Sequence, residues 1–294
     1  MPDYPLAVVV PTRVGWPEMR ISTDAILPQV RAMKAQLIVV DASDADLPAW
    51  ADSPDIKWLR LPGAPGTELR QLGYASADAP IIAIIEDHAA PEPDWLTQVL
   101  AEHAANSDAA AIYGIVENGS REHLIDWALY AVGYLPWAPP EPDAHGNPTH
   151  CNLSFKAWTF ERVVPEADTK LEFRYVAALR DAGLTVVASD RMRVIHYQCT
   201  GLRRTSALFF HNGRTIAGLR RERMHGLDWL RAGAPLMMAG YRTLRTLRTA
   251  RTKPHIEPVI VRSLPHVVLL HAMHAMGESV GYLVGAGDSP SHLH

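Results

Sequence analysis

Residues Ile81 to Leu96 read IIAIIEDHAAPEPDWL. Four of the first five side chains are isoleucine and the other is alanine. Such a run is apolar on both faces and suits a strand buried within a sheet. It stops on Glu86-Asp87-His88, two carboxylates and an imidazole, and Pro91, Pro93 and Trp95 follow. Asp94 stands where a helix over PDWLTQVLAEHAA would begin. A buried strand that ends in proton- and metal-binding groups and then feeds a helix points to an α/β sheet that delivers polar residues to one edge.

The neighbouring chain repeats the pattern. LAVVVPT is a strand closed by Pro11 and Thr12, and residues 18–34 read as an amphipathic helix with a candidate break at Pro28. QLIVVDAS is a second strand ending in Asp41, DIKWLRL a weaker third, ELRQLGYASA a helix and AAAIYGIVE a further strand. Alternation of this kind predicts a mixed, mostly parallel sheet flanked by helices. Thr12-Arg13, Asp41 and Glu86-Asp87-His88 then fall at carboxyl ends of strands, where ligands of open α/β sheets collect. No GxGxxG follows the first strand and no GxxxxGK[ST] occurs, which argues against a dinucleotide fold and a P-loop.

With 294 residues, 48% hydrophobic and 20% charged, the chain suits one large domain or a domain with an appendage. Its start lacks a basic segment followed by a long apolar run, so no signal peptide is expected. Cys151 and Cys199 form no recognisable framework, and a reduced, cytoplasmic setting is the expectation. Charge is uneven. Residues 1–202 carry 15 basic and 27 acidic side chains, whereas 203–253 carry 12 basic and 2 acidic. The expected division is therefore an α/β domain over 1–202 and a helical basic and apolar region over 203–294, the basic part facing an anionic partner.

Carboxylates beside an imidazole bind divalent cations, and mostly oxygen donors suit Mn²⁺ or Mg²⁺. Such an ion neutralises a diphosphate leaving group. Arg13 and Arg70 are candidates to meet phosphate, and Asp41 to accept hydrogen bonds from a base or ribose.

Taken in order, VVVPT, LIVVDASD and ELRQLGYASADAPIIAIIEDHAAPEPDWL resemble family 2 glycosyltransferases, which have the GT-A fold. Glu86-Asp87-His88 holds the place of that family's Asp-x-Asp, and Gln71 replaces its Asn in an Arg-Asn-x-Gly helix. Downstream, HCNLSFKAW resembles the acceptor-side segment, KLEFRYVAALRDAGL the helix that opens on a catalytic acid, and VIHY the strand ending in a metal-facing histidine. The resemblance spans about residues 6–197. It implies that Pro11, Thr12, Arg13, Asp41, Arg70, Glu86 and Asp87 bind a nucleotide-sugar. It further implies that Asp87, His88 and His196 hold the metal, that Asn152 lines the acceptor side and that Glu172 is the general base. Read without the resemblance, Glu172 is an acid favourable to a helix dipole, His196 a structural histidine, Asn152 a turn residue and Trp95 a core residue. The five-proline stretch over 134–149 is a candidate lid.

In YRTLRTLRTARTK, Arg242, Arg245, Arg248 and Arg251 recur at spacing three, and a strongly apolar segment follows. Its uncharged run, Ser263 to Gly277, is shorter than the ~20 residues that span a bilayer. An interfacial element at an anionic membrane is one reading, and a solvated face plus a buried helix the other. No recognised module marks a nucleic-acid binder. The expectation is an inverting, metal-dependent glycosyltransferase, cytoplasmic or peripheral at the inner face of the membrane, acting on a glycan or lipid-linked acceptor. The alternative is a GT-A-like scaffold that binds without catalysing.

Overall fold

Strands β1 (Ala7–Thr12) and β2 (Gln36–Asp41) are buried at every position, as unbroken apolar runs require when helices cover both faces of a sheet. The computed structural model in which they are seen describes residues 4–144, 151–163, 172–198, 201–221, 224 and 226–293. The side chains of 161, 172–174, 227–228 and 230–231 lie outside that description. The chain forms two units. One comprises Met1–Glu117 and Pro136–Tyr197, the other Asn118–Leu135 and Gln198–His294.

The first unit is α/β. After β1 come α1 (Arg20–Met33), β2, β3 (Ile56–Arg60), α2 (Gly66–Ala75), β4 (Ile81–Ile84), β5 (Ala89–Pro91), α3 (Trp95–Ala105) and β6 (Ala109–Asn118). Helix α4 (Leu124–Gly133) follows in the chain but belongs to the second unit. The first unit resumes with β7 (Leu153–Lys156), α5 (Trp158–Arg162), α6 (Glu172–Asp181) and β8 (Thr185–His196). One eight-stranded sheet has the order β3-β2-β1-β4-β7-β6-β8-β5. Pro28 does not break α1. Both Pro28 and Asp24, whose carbonyl loses its partner, are exposed, so water satisfies the freed group.

The expectation of a mostly parallel sheet needs correction. The block β3-β2-β1-β4 is parallel, but β4–β7, β7–β6 and β8–β5 pair antiparallel. Connection length does not explain the change of direction, since β5–β6, β6–β7 and β7–β8 are all joined by segments longer than the dozen or so residues a parallel crossover needs. Strand β5 begins five residues after β4 ends, yet lies four strands away in sheet order. Four flat spacings measure about 19 Å, and five extended residues reach at most about 18 Å. These five are not extended, since Ala89 N–H donates to Glu86 O at 3.0 Å. The sheet therefore curls, bringing its edge strand back to the carboxyl end of β4. Glu86, Asp87 and His88 sit in that short turn.

The core follows the period-two pattern of the strands. Val9, Ile38, Val40, Leu69 and Ile82 form one cluster, and Ile84, Tyr113, Leu153, Phe155, Tyr175, Val176 and Leu179 another. Tyr175, Val176 and Leu179 make the buried, apolar face of α6. Gly114 is required by close packing, because a Cβ there would stand 2.1 Å from Met192 O of β8.

The second unit is helical. It contains α4, α7 (Gly201–Arg220), α8 (Gly226–Gly233), α9 (Pro235–Arg251), α10 (Glu257–Arg262) and α11 (Leu264–Val284). Helix α11 packs against the other five. The expected boundary near 202 thus misses α4, whose buried Ala128, Leu129, Tyr130 and Ala131 make an apolar face that α7, α9, α10 and α11 cover. Glycines let α7 and α11 touch at backbone distance: a Cβ on Gly277 would meet Phe210 O at 2.0 Å, and one on Gly213 would meet His274 O at 2.1 Å. Between α9 and α11, Arg242 donates to both oxygens of Glu278 at 2.7 Å and contacts His274 Nδ1 at 2.9 Å. Thr246 Oγ1 meets His271 Nε2 at 2.9 Å. Helix α11 has 21 residues and, by length and composition, is long and apolar enough to cross a membrane, with 44% of its apolar window buried inside the unit. The uncharged run therefore understates the helix, because Glu278, the residue that ends the run, continues it and is neutralised by Arg242.

Candidate metal centre

The curl of the sheet places β8 against the turn that follows β4. His196, the last residue of β8, stands opposite Ala89 of β5, and Tyr197 N–H donates to His88 O at 3.0 Å. These backbone bonds hold His196 over Glu86, with Nε2 2.8 Å from Glu86 Oε2. His88 sits beside them. Its Nδ1 lies 2.7 Å from Asp87 Oδ1 and its Nε2 3.4 Å from Glu86 Oε2. The two imidazoles meet edge to face at 4.6 Å between centroids.

Cys151, just before β7, completes the cluster. Glu86, Cys151 and His196 each offer a ligand atom, these atoms lie within 4.8 Å of one another, and the group suits a metal ion. Cys151 is fully buried, His196 is 3% exposed and the Glu86 side chain 12%. Burial pushes the Cys151 thiol well above its ordinary pKa, and the charge of Glu86 and a hydrogen bond to it push further in the same direction. For His88, burial disfavours the imidazolium, but the bond to Asp87 and the charges of Glu86 and Asp87 outweigh it and raise the pKa. Arg70 reaches this region from α2. Burial lowers its pKa, while Tyr74 and Glu86 act electrostatically in the opposite sense.

Of the expected metal ligands, His196 and His88 are at the cluster, and Asp87 orients His88. A carboxylate on one imidazole nitrogen fixes which nitrogen faces the centre. Glu86, expected on the nucleotide-sugar, is the residue both histidines approach. Sequence reasoning missed Cys151, because one cysteine without a spaced partner carries no local signal, and the 64 residues between it and Glu86 hide the encounter.

The remaining site residues lie elsewhere along the strand ends. Thr12 and Asp41 are register partners on β1 and β2. Thr12 Oγ1 accepts from Gly15 N–H at 3.0 Å. Asp41 is fully buried. It accepts from Ser43 N–H at 2.8 Å and Trp58 Nε1–H at 3.2 Å, with Arg60 at 3.4 Å. Pro11 is within β1. Arg13 follows that strand, and partial burial lowers its pKa. Asn152 is a brace: its Nδ2 donates to Ile115 O at 2.8 Å and Met192 O at 2.9 Å, and its Oδ1 accepts from Trp95 Nε1–H at 2.9 Å. At 1% exposure, with Trp95 at 0%, both are core residues, and the polar atoms of Asn152 are spent inside the unit. Glu172 opens α6, but its side chain lies outside the described part, as do Glu166 and Asp168, the alternative carboxylates just before that helix in sequence. Residues 145–150 of the candidate lid are likewise outside it, while Asp143 is tied to the sheet through Tyr113 Oη–H.

No protein-family model matches the chain, and a search of curated proteins finds no match.

Proposed function

We propose that the chain is a glycosyltransferase of GT-A-like architecture, resembling family 2, that moves a sugar from a nucleotide-diphosphate donor to a hydroxyl. One observation carries the reading. Thr12, Asp41 and Glu86 all stand at or just past the carboxyl ends of adjoining parallel strands β1, β2 and β4, the edge where such sheets bind ligands. In this reading Pro11, Thr12, Arg13 and Asp41 form the nucleoside end and Arg70, Glu86 and Asp87 the diphosphate end. The Arg70 guanidinium would give charge-assisted hydrogen bonds to the diphosphate, and a bound cation would offset the negative charge that remains. Glu172 at the start of α6 takes the proton of the acceptor hydroxyl as it attacks the anomeric carbon, and one such base serves an inverting displacement.

The expected Mn²⁺ or Mg²⁺ would draw on Asp87, His88 and His196, as the resemblance implies, and would neutralise the diphosphate when bound. The acceptor in this reading is a glycan or lipid-linked, reached from an anionic membrane surface on the cytoplasmic side through the basic and apolar face of α9. Nucleic acid has no place in it.

The test is a thermal-shift and turnover panel of UDP-, GDP- and dTDP-sugars with and without Mn²⁺. Stabilisation by one donor class, lost in Asp87→Asn, together with transfer or slow hydrolysis of that donor, supports the reading. Stabilisation without turnover supports the non-catalytic scaffold. No stabilisation by any nucleotide-sugar refutes both.

A further inference from the structure

We propose that Glu86, Cys151 and His196 are a zinc site, with three protein ligands and a fourth position open beside His88. The donor atoms carry the argument, not the glycosyltransferase reading. Mg²⁺ asks for near-octahedral oxygen and Ca²⁺ for six to eight oxygens. Here the three groups that come together are one carboxylate, one thiol and one imidazole, and the next carboxylate, Asp87, is turned to His88 Nδ1 at 2.7 Å. A thiolate with imidazole and carboxylate selects a borderline-soft ion, and three protein ligands with one open position is the pattern of catalytic zinc. The donor set therefore departs from the oxygen-rich site that Glu86-Asp87-His88 suggests as a sequence.

The three ligand atoms lie within 4.8 Å of one another, a spacing that small side-chain shifts can bring to what zinc needs. Bonds of about 2.0–2.3 Å in a tetrahedron put ligand atoms roughly 3.3–3.8 Å apart. His88 Nε2 is 3.4 Å from Glu86 Oε2, and the His88 side chain is 38% exposed. His196 Nε2 and Glu86 Oε2, now 2.8 Å apart, need only separate slightly. The frame is fixed beforehand. Cys151 adjoins Asn152, whose three bonds clamp it to β6, β8 and Trp95. His196 is held by the β5–β8 pairing and Glu86 by its turn. On binding, Zn²⁺ takes the place of the Cys151 thiol proton, which leaves to water. It also displaces the Nε2 hydrogen that His196 shares with Glu86, which the neutral ring then carries on Nδ1.

The experiment uses the full chain in the Cys199→Ser form, where Cys151 is the remaining cysteine. Zn²⁺ is titrated against a chromophoric chelator, and Co²⁺ is substituted as a spectroscopic probe. The expected result is one equivalent of Zn²⁺, outcompeting Mg²⁺ and Mn²⁺. A thiolate-to-cobalt charge-transfer band with tetrahedral ligand-field intensity should accompany it. His196→Gln should weaken Zn²⁺ by about 10²-fold or more. Absence of stoichiometric Zn²⁺, a Co²⁺ spectrum with no thiolate band, or a folded His196→Gln protein with unchanged affinity would each overturn the site. The first two outcomes need no change in the cluster, so misfolding of a variant cannot obscure them. Zinc binding and nucleotide-sugar binding are read separately, and either can fail alone.

Discussion

His196 Nε2 and Glu86 Oε2 lie 2.8 Å apart across 110 positions of sequence. The pairing exists because the last residue of the twelve-residue strand β8 is carried to the turn after β4. It makes the end of one strand and the turn after another a single chemical unit, and the stability of that unit rests on its neighbours.

Asn152 is the strongest of them. Asn152→Ala deletes three buried hydrogen bonds and strands Trp95 Nε1–H and two carbonyls, a loss of about 3 kcal/mol on the usual scale. Asn152→Asp should be worse, because a carboxylate would face Ile115 O and Met192 O. Urea unfolding of the three proteins measures the order. If Asp is tolerated better than Ala, Asn152 is not the brace described.

Two glycines on neighbouring helices should respond with opposite sign. Gly→Ala inside a helix ordinarily stabilises by about 1 kcal/mol. Gly240→Ala on α9 should do so, since nothing lies within 4 Å of the added Cβ. Gly277→Ala should destabilise by about 1–3 kcal/mol, because its Cβ would stand 2.0 Å from Phe210 O. Melting temperatures that rise in both variants would contradict the close α7–α11 contact.

Acid should weaken the fold before carboxylates titrate. Burial, aided by nearby cations, lowers His103 and His271 to about 4 and His274 to about 3, from an ordinary 6.5. Between pH 6.5 and 4 the unfolded chain binds protons at these positions that the folded chain refuses. Stability is thus full above pH 6.5 and falls as pH drops, by at most about 1.4 kcal/mol per unit for each histidine. His88 is raised and contributes in the opposite sense, its share being present below pH 6.5 and lost as pH rises through its folded value. His211 is lowered as well, so the lowered histidines outnumber the raised one. Urea midpoints at pH 7.0 and 5.5 test the sign, and a midpoint unchanged or higher at 5.5 would refute it.

Glu172→Gln should reduce sugar transfer by about 10²-fold or more while donor affinity stays near wild type, since a base acting at the transition state contributes little to ground-state binding. Wild-type transfer in that variant, with loss in Glu166→Gln or Asp168→Asn, would move the base into the preceding segment.

The outward face of α9 carries Met237, Tyr241 and Leu244 at 65, 59 and 47% exposure, with Arg245 adjacent to Leu244 and Arg248 a turn further on. Flotation with anionic vesicles should recover the protein at low salt, and neutral vesicles or high salt should not. Equal recovery from both vesicle types would remove the electrostatic contribution.

The legible parts of this fold were those that depend on neighbours in sequence. The apolar runs of β1, β2 and β4, the helix opened by Asp94, the apolar face of α6 and the polar strand ends all follow from local period and composition. His88 and His196 were legible as candidates because they end or follow strands. Cys151 was not, since its role depends on the curl of the sheet and on β7 lying beside β4. Asn152 was legible only as a polar residue near a strand, because its three partners come from β6, β8 and α3. The antiparallel half of the sheet was hidden for the same reason: direction is set by where the chain returns, not by what each strand contains.

The excursion of α4 sets an order of events during synthesis. Its apolar face is complete once Gly133 is made, but α11, which covers much of it, ends at Val284. At about 5–20 residues per second, the ribosome needs roughly 8–30 s to bridge that gap. For that interval Ala128, Leu129 and Tyr130 have no permanent cover, while the flanking strands of the first unit can already pair. A chain stopped near residue 202 would make that interval permanent. Truncation at the apparent border of the basic region should therefore yield an aggregating product, and the protein's yield should depend on how well α4 is shielded while its partners are still being translated.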